Sequence, residues 1–490
     1  MKPSFLILIV ISIVVSVGFT FGLRAQTPPD ADTEKIVLTS SLPSDIAPKT
    51  DERKSFDTFS WQSFVALNWP ADESGNPLNA EESTFSSNLE APRVWQCYER
   101  PEEVFQQNEK ASAESNEKCK KTMIFALSKE GEQADEKEGN ERPTEVKLPL
   151  IDQQNNYVVY EIRLNPNEAK QIRDNSWNKI ENLNEYDTID QCKKANCNLF
   201  QFSTFEGARP IEIKAAWRVF DLRNSPEEKS RYYTTKQTLH IPAKYSTTGQ
   251  DIEQQVELGL IGFHIAQKTF NKSWIWSTFE QVDNLNVDVH PIPPGLQPTL
   301  RNLDCRDQNN SRLENTSKKN ANNENTNKCL AENTRDKDEN YLWQQNEPHA
   351  VMEKDGKTSK LLPTQVARLK ENALSPITEE MNKKWREKFR QTNSVWQYYQ
   401  LIGSEWISLI PCGLVERKDN CRPIWVSNLY TDPTKLAFAK VGNVTMETYV
   451  EPVNASCIKC HSAARLDRDH KRSADFSFLF DEYARLSKFR

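Results

Sequence analysis

The pentapeptide Cys457-Ile458-Lys459-Cys460-His461 lies close to the end of a 490-residue chain, and it constrains the rest more than any other feature. C-x-x-C-H is the attachment signature of c-type haem. Two thiols add across the two porphyrin vinyl groups, and the intervening pair sets the sulfurs about one helical turn apart, within reach of the same ring edge. The histidine that follows at once is placed to become the proximal iron ligand. Only residues 462–490 follow the motif, so a haem held there has to pack against chain that precedes it. Two other readings compete. A zinc knuckle wants a second ligand pair at knuckle spacing, and a thioredoxin-like C-x-x-C wants a βαβ setting. Neither context is evident in the sequence.

The opposite end agrees with haem attachment. Lys2 precedes an apolar run, Phe5 to Phe21, and small residues follow near Gly22 and Ala25. Residues 1–25 therefore read as a Sec-type signal peptide. The run is also long enough to serve as an uncleaved anchor, and membrane contact is expected only in that case. Haem c is attached outside the cytoplasm, so the expected location is the periplasm, with anchoring to the inner membrane as the alternative. Setting the motif pair aside leaves eight of ten cysteines: Cys97, Cys119, Cys192, Cys197, Cys305, Cys329, Cys412 and Cys421. Disulfides persist in an oxidising compartment. Pairing of sequence neighbours is one of many connectivities, and each such staple is worth about 2–4 kcal/mol.

The chain is far longer than one haem needs. Hydrophobic residues make up 37% and charged residues 27%, with a net charge of −7 and no long basic block. Nucleic-acid binding thus has no electrostatic footprint. Residues 26–54 read as a flexible leader. Residues 55–425 read as a β-rich α+β domain, and residues 426–490 as a haem-binding C-terminal segment. Two polar stretches near 106–146 and 303–340 read as surface insertions, because such composition buries too little apolar area to offset ordering entropy. Strands are expected over 157–164, 211–220, 232–241, 255–268 and 274–282. In the fourth, Val256, Leu258, Leu260, Gly262 and His264 share a face if the segment is regular. Asn165-Pro166 opens a helix. Further helices are expected over 55–69 and 381–410, on the spacing of Phe56, Phe59 and Phe64 and of Trp385, Phe389, Trp396, Tyr399 and Trp406. The fold class is α+β: an antiparallel β-rich core, peripheral helices and a C-terminal c-type haem-attachment segment.

Six histidines and five methionines limit the second axial ligand. His264 is one candidate, a lone imidazole in an apolar stretch that needs a partner if buried. Its structural alternative is a hydrogen bond to a backbone carbonyl or to Glu280. Met446, shortly before the motif, is the other candidate; its alternative is simple packing. His470 lies nine residues past His461, on the opposite face of any continuous helix. His240, His290 and His349 fall near strand ends or loops. The carboxylates of Thr278-Phe279-Glu280-Gln281-Val282-Asp283-Asn284 read chiefly as a strand end with turn chemistry.

Through Cys457, Cys460 and His461 the chain resembles c-type cytochromes. More narrowly it is similar to the large exported bacterial proteins of the cytochrome c family, on the stretches Gly262-Phe263-His264-Ile265-Ala266-Gln267-Lys268-Thr269, Trp274-Ile275-Trp276-Ser277-Thr278-Phe279-Glu280 and Asn443 to Tyr449. That resemblance implies one covalent haem c, with its iron, and a redox role. The expected function is electron transfer to or from a redox partner protein. The alternative is a haem-dependent oxidoreductase, peroxidase-like or other, with a substrate pocket in the large domain. A gas or redox sensor is a third reading, though no signalling domain accompanies it.

Overall fold

Among the described residues ten strands form, and seven of them pair into one forked sheet. In the computed structural model the described residues are 36–43, 45–46, 52–79, 81–105, 119, 122–125, 148–188, 191, 198–285, 292–305, 329–336, 339–354, 356–406, 441–450, 456–466, 471–480 and 483. The signal-peptide expectation over 1–25 lies outside them. Residues from Leu38 onward form one compact unit.

The strands are β1 (Thr122–Ile124), β2 (Val159–Leu164), β3 (Ile211–Phe220), β4 (Thr234–Ile241), β5 (Ile252–Thr269), β6 (Ser273–Gln281), β7 (Asn340–Trp343), β8 (Ala350–Lys354), β9 (Lys357–Lys360) and β10 (Tyr399–Trp406). The 18-residue β5 is the spine. On one edge it pairs antiparallel with β3, which pairs antiparallel with β2. On the other edge its first half pairs with β4 and its second half with β6. The sheet therefore forks, one branch ending in β1 and the other in β10. All pairings in it are antiparallel except β1 with β4. Strand β1 falls inside the polar 106–146 stretch. A smaller sheet, β7-β8-β9, stands apart. The α+β architecture with an antiparallel core is thus observed.

The fork is closed by one tyrosine. The Tyr399 hydroxyl donates to the Leu260 carbonyl at 2.9 Å and accepts from the Tyr233 N–H at 2.9 Å. It supplies partners that a strand would otherwise provide. At the same place β5 is bulged: Trp217 pairs with Leu260, but Ala216 pairs with Gly262. The extra residue, Ile261, has its carbonyl satisfied by the Asn284 side chain at 2.7 Å. A bulge reverses which side the following residues face. Consequently Gly262 and His264 do not share a face with Leu258 and Leu260, as regular alternation had implied.

Two sides of the sheet result. On one, Phe263, Ile265, Ile275, Phe279 and Trp406 meet the helix Arg53–Leu67, whose Phe64 ring lies 4.4 Å from Phe279 and whose Phe56 stacks on Trp406 at 3.7 Å. The helix Pro376–Arg390 joins this layer through Trp385, stacked on Trp61 at 5.6 Å. Ser375 caps it and accepts from the Thr378 N–H at 3.1 Å, with Pro376 in the first turn. The helix expected over 381–410 stops at Arg390, a correction to that reading. Asn393 takes a left-handed backbone (φ 48°), and the chain then pairs with β6 as β10. The aromatic spacing mimics a helix, but exposed strand-edge hydrogen bonds on β6 recruit the segment instead.

Two cysteine pairs, Cys97–Cys119 and Cys305–Cys329, are disulfide-bonded. Both were expected as sequence neighbours. Cys192, Cys197, Cys412 and Cys421 lie outside the described residues.

Candidate functional site

The second side of the sheet is covered by the C-terminal segment. Alternate residues of β5, namely Gly262, His264, Ala266 and Lys268, form a row on this side, and the tail meets the row in order. Thr445 sits so close over Gly262 that any Cβ there would collide with its hydroxyl. Glu447 faces His264, with Oε2 3.6 Å from Nε2. His461 lies 5.7 Å from the ring of Trp276, the cross-strand partner of Ala266. Asp475 ion-pairs with Lys268.

Cys457–His461 forms a five-residue helix at the centre of this arrangement. Ser456 caps it and accepts from the Lys459 N–H at 3.1 Å, as a hydroxyl before a helical start should. The cap is itself anchored to the sheet. Glu405 on β10 accepts from the Ser456 hydroxyl at 2.9 Å and from the Ile458 N–H at 3.1 Å. A carboxylate at a helix start satisfies orphan donors and complements the dipole. Burial outweighs these gains and pushes Glu405 up to about 7, against the pull of its hydrogen bonds and of Arg53. Ile458 is fully buried and packs with Trp276, Phe476 and Phe480. That leaves Cys457, Cys460 and His461 half-buried. Neither cysteine is in a disulfide.

His461 is oriented by the chain that follows it. Its Nδ1 lies 2.7 Å from the Phe476 carbonyl oxygen. A carbonyl only accepts, so Nδ1 is the donor, and in the neutral imidazole Nε2 then holds the lone pair. This is the tautomer and the backbone support that a metal-ligating imidazole requires. Phe478, at 5.2 Å, and Trp276 flank the ring. Two thiols on one short helix, an imidazole held through Nδ1 by the Phe476 carbonyl, and aromatic neighbours suit a covalently held porphyrin. Among the described residues no three His, Cys, Asp or Glu side chains form a group that could hold a bare metal ion.

The two candidate axial ligands part company here. His264 and Trp276 are diagonal neighbours on the same side, since His264 pairs with Thr278 and Ala266 with Trp276. Such diagonals lie about 7–8 Å apart. Met446 is buried among Val444, Tyr160, Ala216 and Ile261, in a cluster separate from the one around Ile458. The partner of His264 is Glu447; Glu280 is engaged elsewhere. Glu280 accepts from the Val444 N–H at 2.7 Å and ion-pairs with Arg368, so it fastens the tail to β6. Asp283 ion-pairs with Arg231 at 2.5 Å. His240 sits 2.6 Å from Glu253, and His349 stacks on Trp343 at 4.4 Å. His290 and His470 lie outside the described residues.

Sequence reasoning found the pentapeptide and missed its supports, Glu405, Phe476, Lys268 and Asp475. Ser456 carried the one readable signal, a capping residue before the motif. No helix among the described residues is long and apolar enough to cross a membrane. No protein-family model, curated protein or solved structure matches the chain.

Proposed function

We propose that this chain is a c-type cytochrome that carries one haem c on Cys457 and Cys460, with His461 as proximal ligand, and exchanges electrons with a redox partner protein. The observation that carries the reading is the hydrogen bond from His461 Nδ1 to the Phe476 carbonyl, made by the histidine of an undisulfided C-x-x-C-H helix. The bound group would supply a one-electron couple at its iron. The chain's part is to hold and tune. Glu405 and Ser456 fasten the helix that bears both thiols. Phe476 keeps the proton on Nδ1 of His461. Trp276 and Phe478 flank its ring. Of the two candidates for a second iron ligand, His264 would hold the group, since it lies on the side that the motif covers, whereas Met446 fills a separate core. Covalent attachment outside the cytoplasm makes a periplasmic location part of the same proposal.

Expression of the full chain with a haem c maturation system tests this directly. The denatured polypeptide should retain haem-dependent peroxidase stain, and Cys457→Ala with Cys460→Ala should lose it. The reduced native protein should show a low-spin spectrum that carbon monoxide leaves unchanged, and His264→Ala should make it respond. A colourless wild-type polypeptide, or zinc bound to the same sulfurs, would overturn the haem assignment. A wild-type spectrum that shifts with carbon monoxide would overturn electron transfer in favour of a haem-dependent oxidoreductase.

A further inference from the structure

Beyond Trp276, at the far end of the β5 row, a buried cation meets the tail. Lys268 stands on β5 opposite Trp274 of β6, and its N–H donates to the Pro210 carbonyl at 2.9 Å. The sheet therefore fixes where this side chain starts. Its ammonium lies 5.6 Å from the Trp274 ring and ion-pairs with Asp475. Lys268 and Asp475 are each at most 5% exposed. An ammonium removed from water is costly unless a counter-charge meets it. Lys268 thus dictates where the Asp475 carboxylate has to sit. The paired oxygen, Oδ2, also accepts from the Phe202 N–H at 2.8 Å.

Asp475 belongs to a strained turn. The Ser477 N–H donates to the Ala474 carbonyl at 3.0 Å, which closes a turn with Asp475 and Phe476 at its centre. Both central residues take a left-handed backbone, φ 50° and 70°. Turns of this kind ordinarily use Gly, Asn or Asp at those places. A bulky residue such as Phe is an outlier there, and it stays only where its surroundings hold it. Side chains do the holding. The buried Phe476 ring lies 5.5 Å from Trp276, and the Asp475 carboxylate is tied to Lys268 and Phe202.

The same turn serves the motif. The Phe476 carbonyl accepts from His461 Nδ1 at 2.7 Å. The direction of that carbonyl is set by the backbone of Phe476 itself. A relaxed, right-handed or extended Phe476 would point it elsewhere. A hydrogen bond on the outer nitrogen raises the basicity of a ligating imidazole. Hydrogen bonding of this kind is one of the protein's levers on an iron potential.

We propose that Lys268 and Asp475 are positioning residues for the iron ligand: their ion pair locks the 474–477 turn, and the turn holds the Phe476 carbonyl on His461. This inference rests on the haem reading above. It gives the buried cation a task other than stability. With the turn locked, His461 is the stronger donor and the ferric state is favoured. With the turn released, that preference weakens and the potential rises.

Lys268→Met combined with Asp475→Asn tests the lock in the full-length holoprotein, because the ion pair goes while net charge stays the same. Haem stain is scored for every sample. In the double variant the equilibrium constant for reduction should rise about tenfold, which is about 59 mV for one electron. The His461 Nδ1 proton, followed by NMR of the reduced, nitrogen-labelled protein, should exchange with solvent faster by a similar factor. Trp61→Ala, which weakens the fold on the other side of the sheet, should change neither. The wild type supplies a second measurement if the double variant does not accumulate. In rising urea below the unfolding transition, the Ser477 N–H and the His461 Nδ1 proton should begin to exchange together. A colourless wild type overturns the haem reading. The positioning role alone is overturned by a coloured double variant with unchanged potential and exchange, or by equal shifts in Trp61→Ala. A wild type whose His461 proton exchanges while Ser477 stays protected overturns it as well.

Discussion

One side of the forked sheet is closed by helices and the other by the C-terminal tail, and the two closures are chemically unlike. Under the helix Arg53–Leu67 the contacts are rings: Trp61, Phe64, Phe263, Phe279, Trp385 and Trp396 touch at centroid distances of 4.4–5.8 Å. Polar contacts there run between side chains, as between the Ser277 and Ser60 hydroxyls at 2.7 Å and from the Ser404 and Thr378 hydroxyls to the one buried acid of the helix, Asp57, at 2.5 and 2.8 Å. Under the tail, buried carboxyls meet backbone N–H groups and cations: Glu280 with Val444 and Arg368, Glu405 with Ile458, Asp475 with Lys268. Apolar burial is non-directional and holds a layer down. Hydrogen bonds between fixed partners set direction as well, and a desolvated acid without them is costly. The helix side stabilises the sheet; the tail side positions the pentapeptide.

The largest expected effect breaks the helix side alone. Trp61→Ala empties a fully buried ring site and should cost about 3–5 kcal/mol. Urea unfolding should show the loss while, on the haem reading proposed above, the absorption spectrum of the haem-loaded protein stays unchanged. A changed spectrum at native denaturant levels would mean that the two sides are not separable.

Next in size is a pH effect confined to the tail side. Glu405 binds its proton more tightly in the folded chain, at about 7 against 4.5 for a free glutamate. Between those values the native state holds more protons than the unfolded state, so stability falls as pH rises through this window. The contribution is complete below the lower value and lost above the upper one. At 1.36 kcal/mol per unit the loss is about 3 kcal/mol. Glu405→Gln should remove that slope, measured as the unfolding midpoint across pH. An equal slope in the variant would assign it to another group.

The smallest effect sharpens the boundary between tail and sheet. Gly262→Ala drives a methyl into Thr445 and should cost about 1–3 kcal/mol, as overpacking does. Hydrogen exchange should rise in residues 441–450 before it rises in the helix Arg53–Leu67. Simultaneous loosening of both would show one cooperative layer rather than two.

Strands β3 and β6 were legible because β-branched and aromatic residues fill short runs bounded by turn residues. Asn165-Pro166 opens a real helix, as read, with its side-chain cap; the start of the later helix at Ser375-Pro376, six residues ahead of the expected Met381, was missed. Strand β10 was not legible, since Trp396, Tyr399 and Trp406 fit a helical period as well as an extended one. Pairing with β6 decided it, and local pattern carries no information about that partner. The side on which His264 lies was misread for a related reason. The bulge at Ile261 depends on how β3 and β5 register, and one extra residue reverses every later side chain.

The pentapeptide is a local object. Two thiols and an imidazole one helical turn apart are determined by covalent spacing, so the sequence alone names Cys457, Cys460 and His461. What holds them is not local. Glu405 precedes Ser456 by 51 residues, Phe476 follows His461 by 15, and Lys268 precedes Asp475 by 207. Only tertiary packing brings such groups within hydrogen-bond distance, because burial of the tail against the sheet forces each desolvated acid and amide to find a partner wherever the fold supplies one.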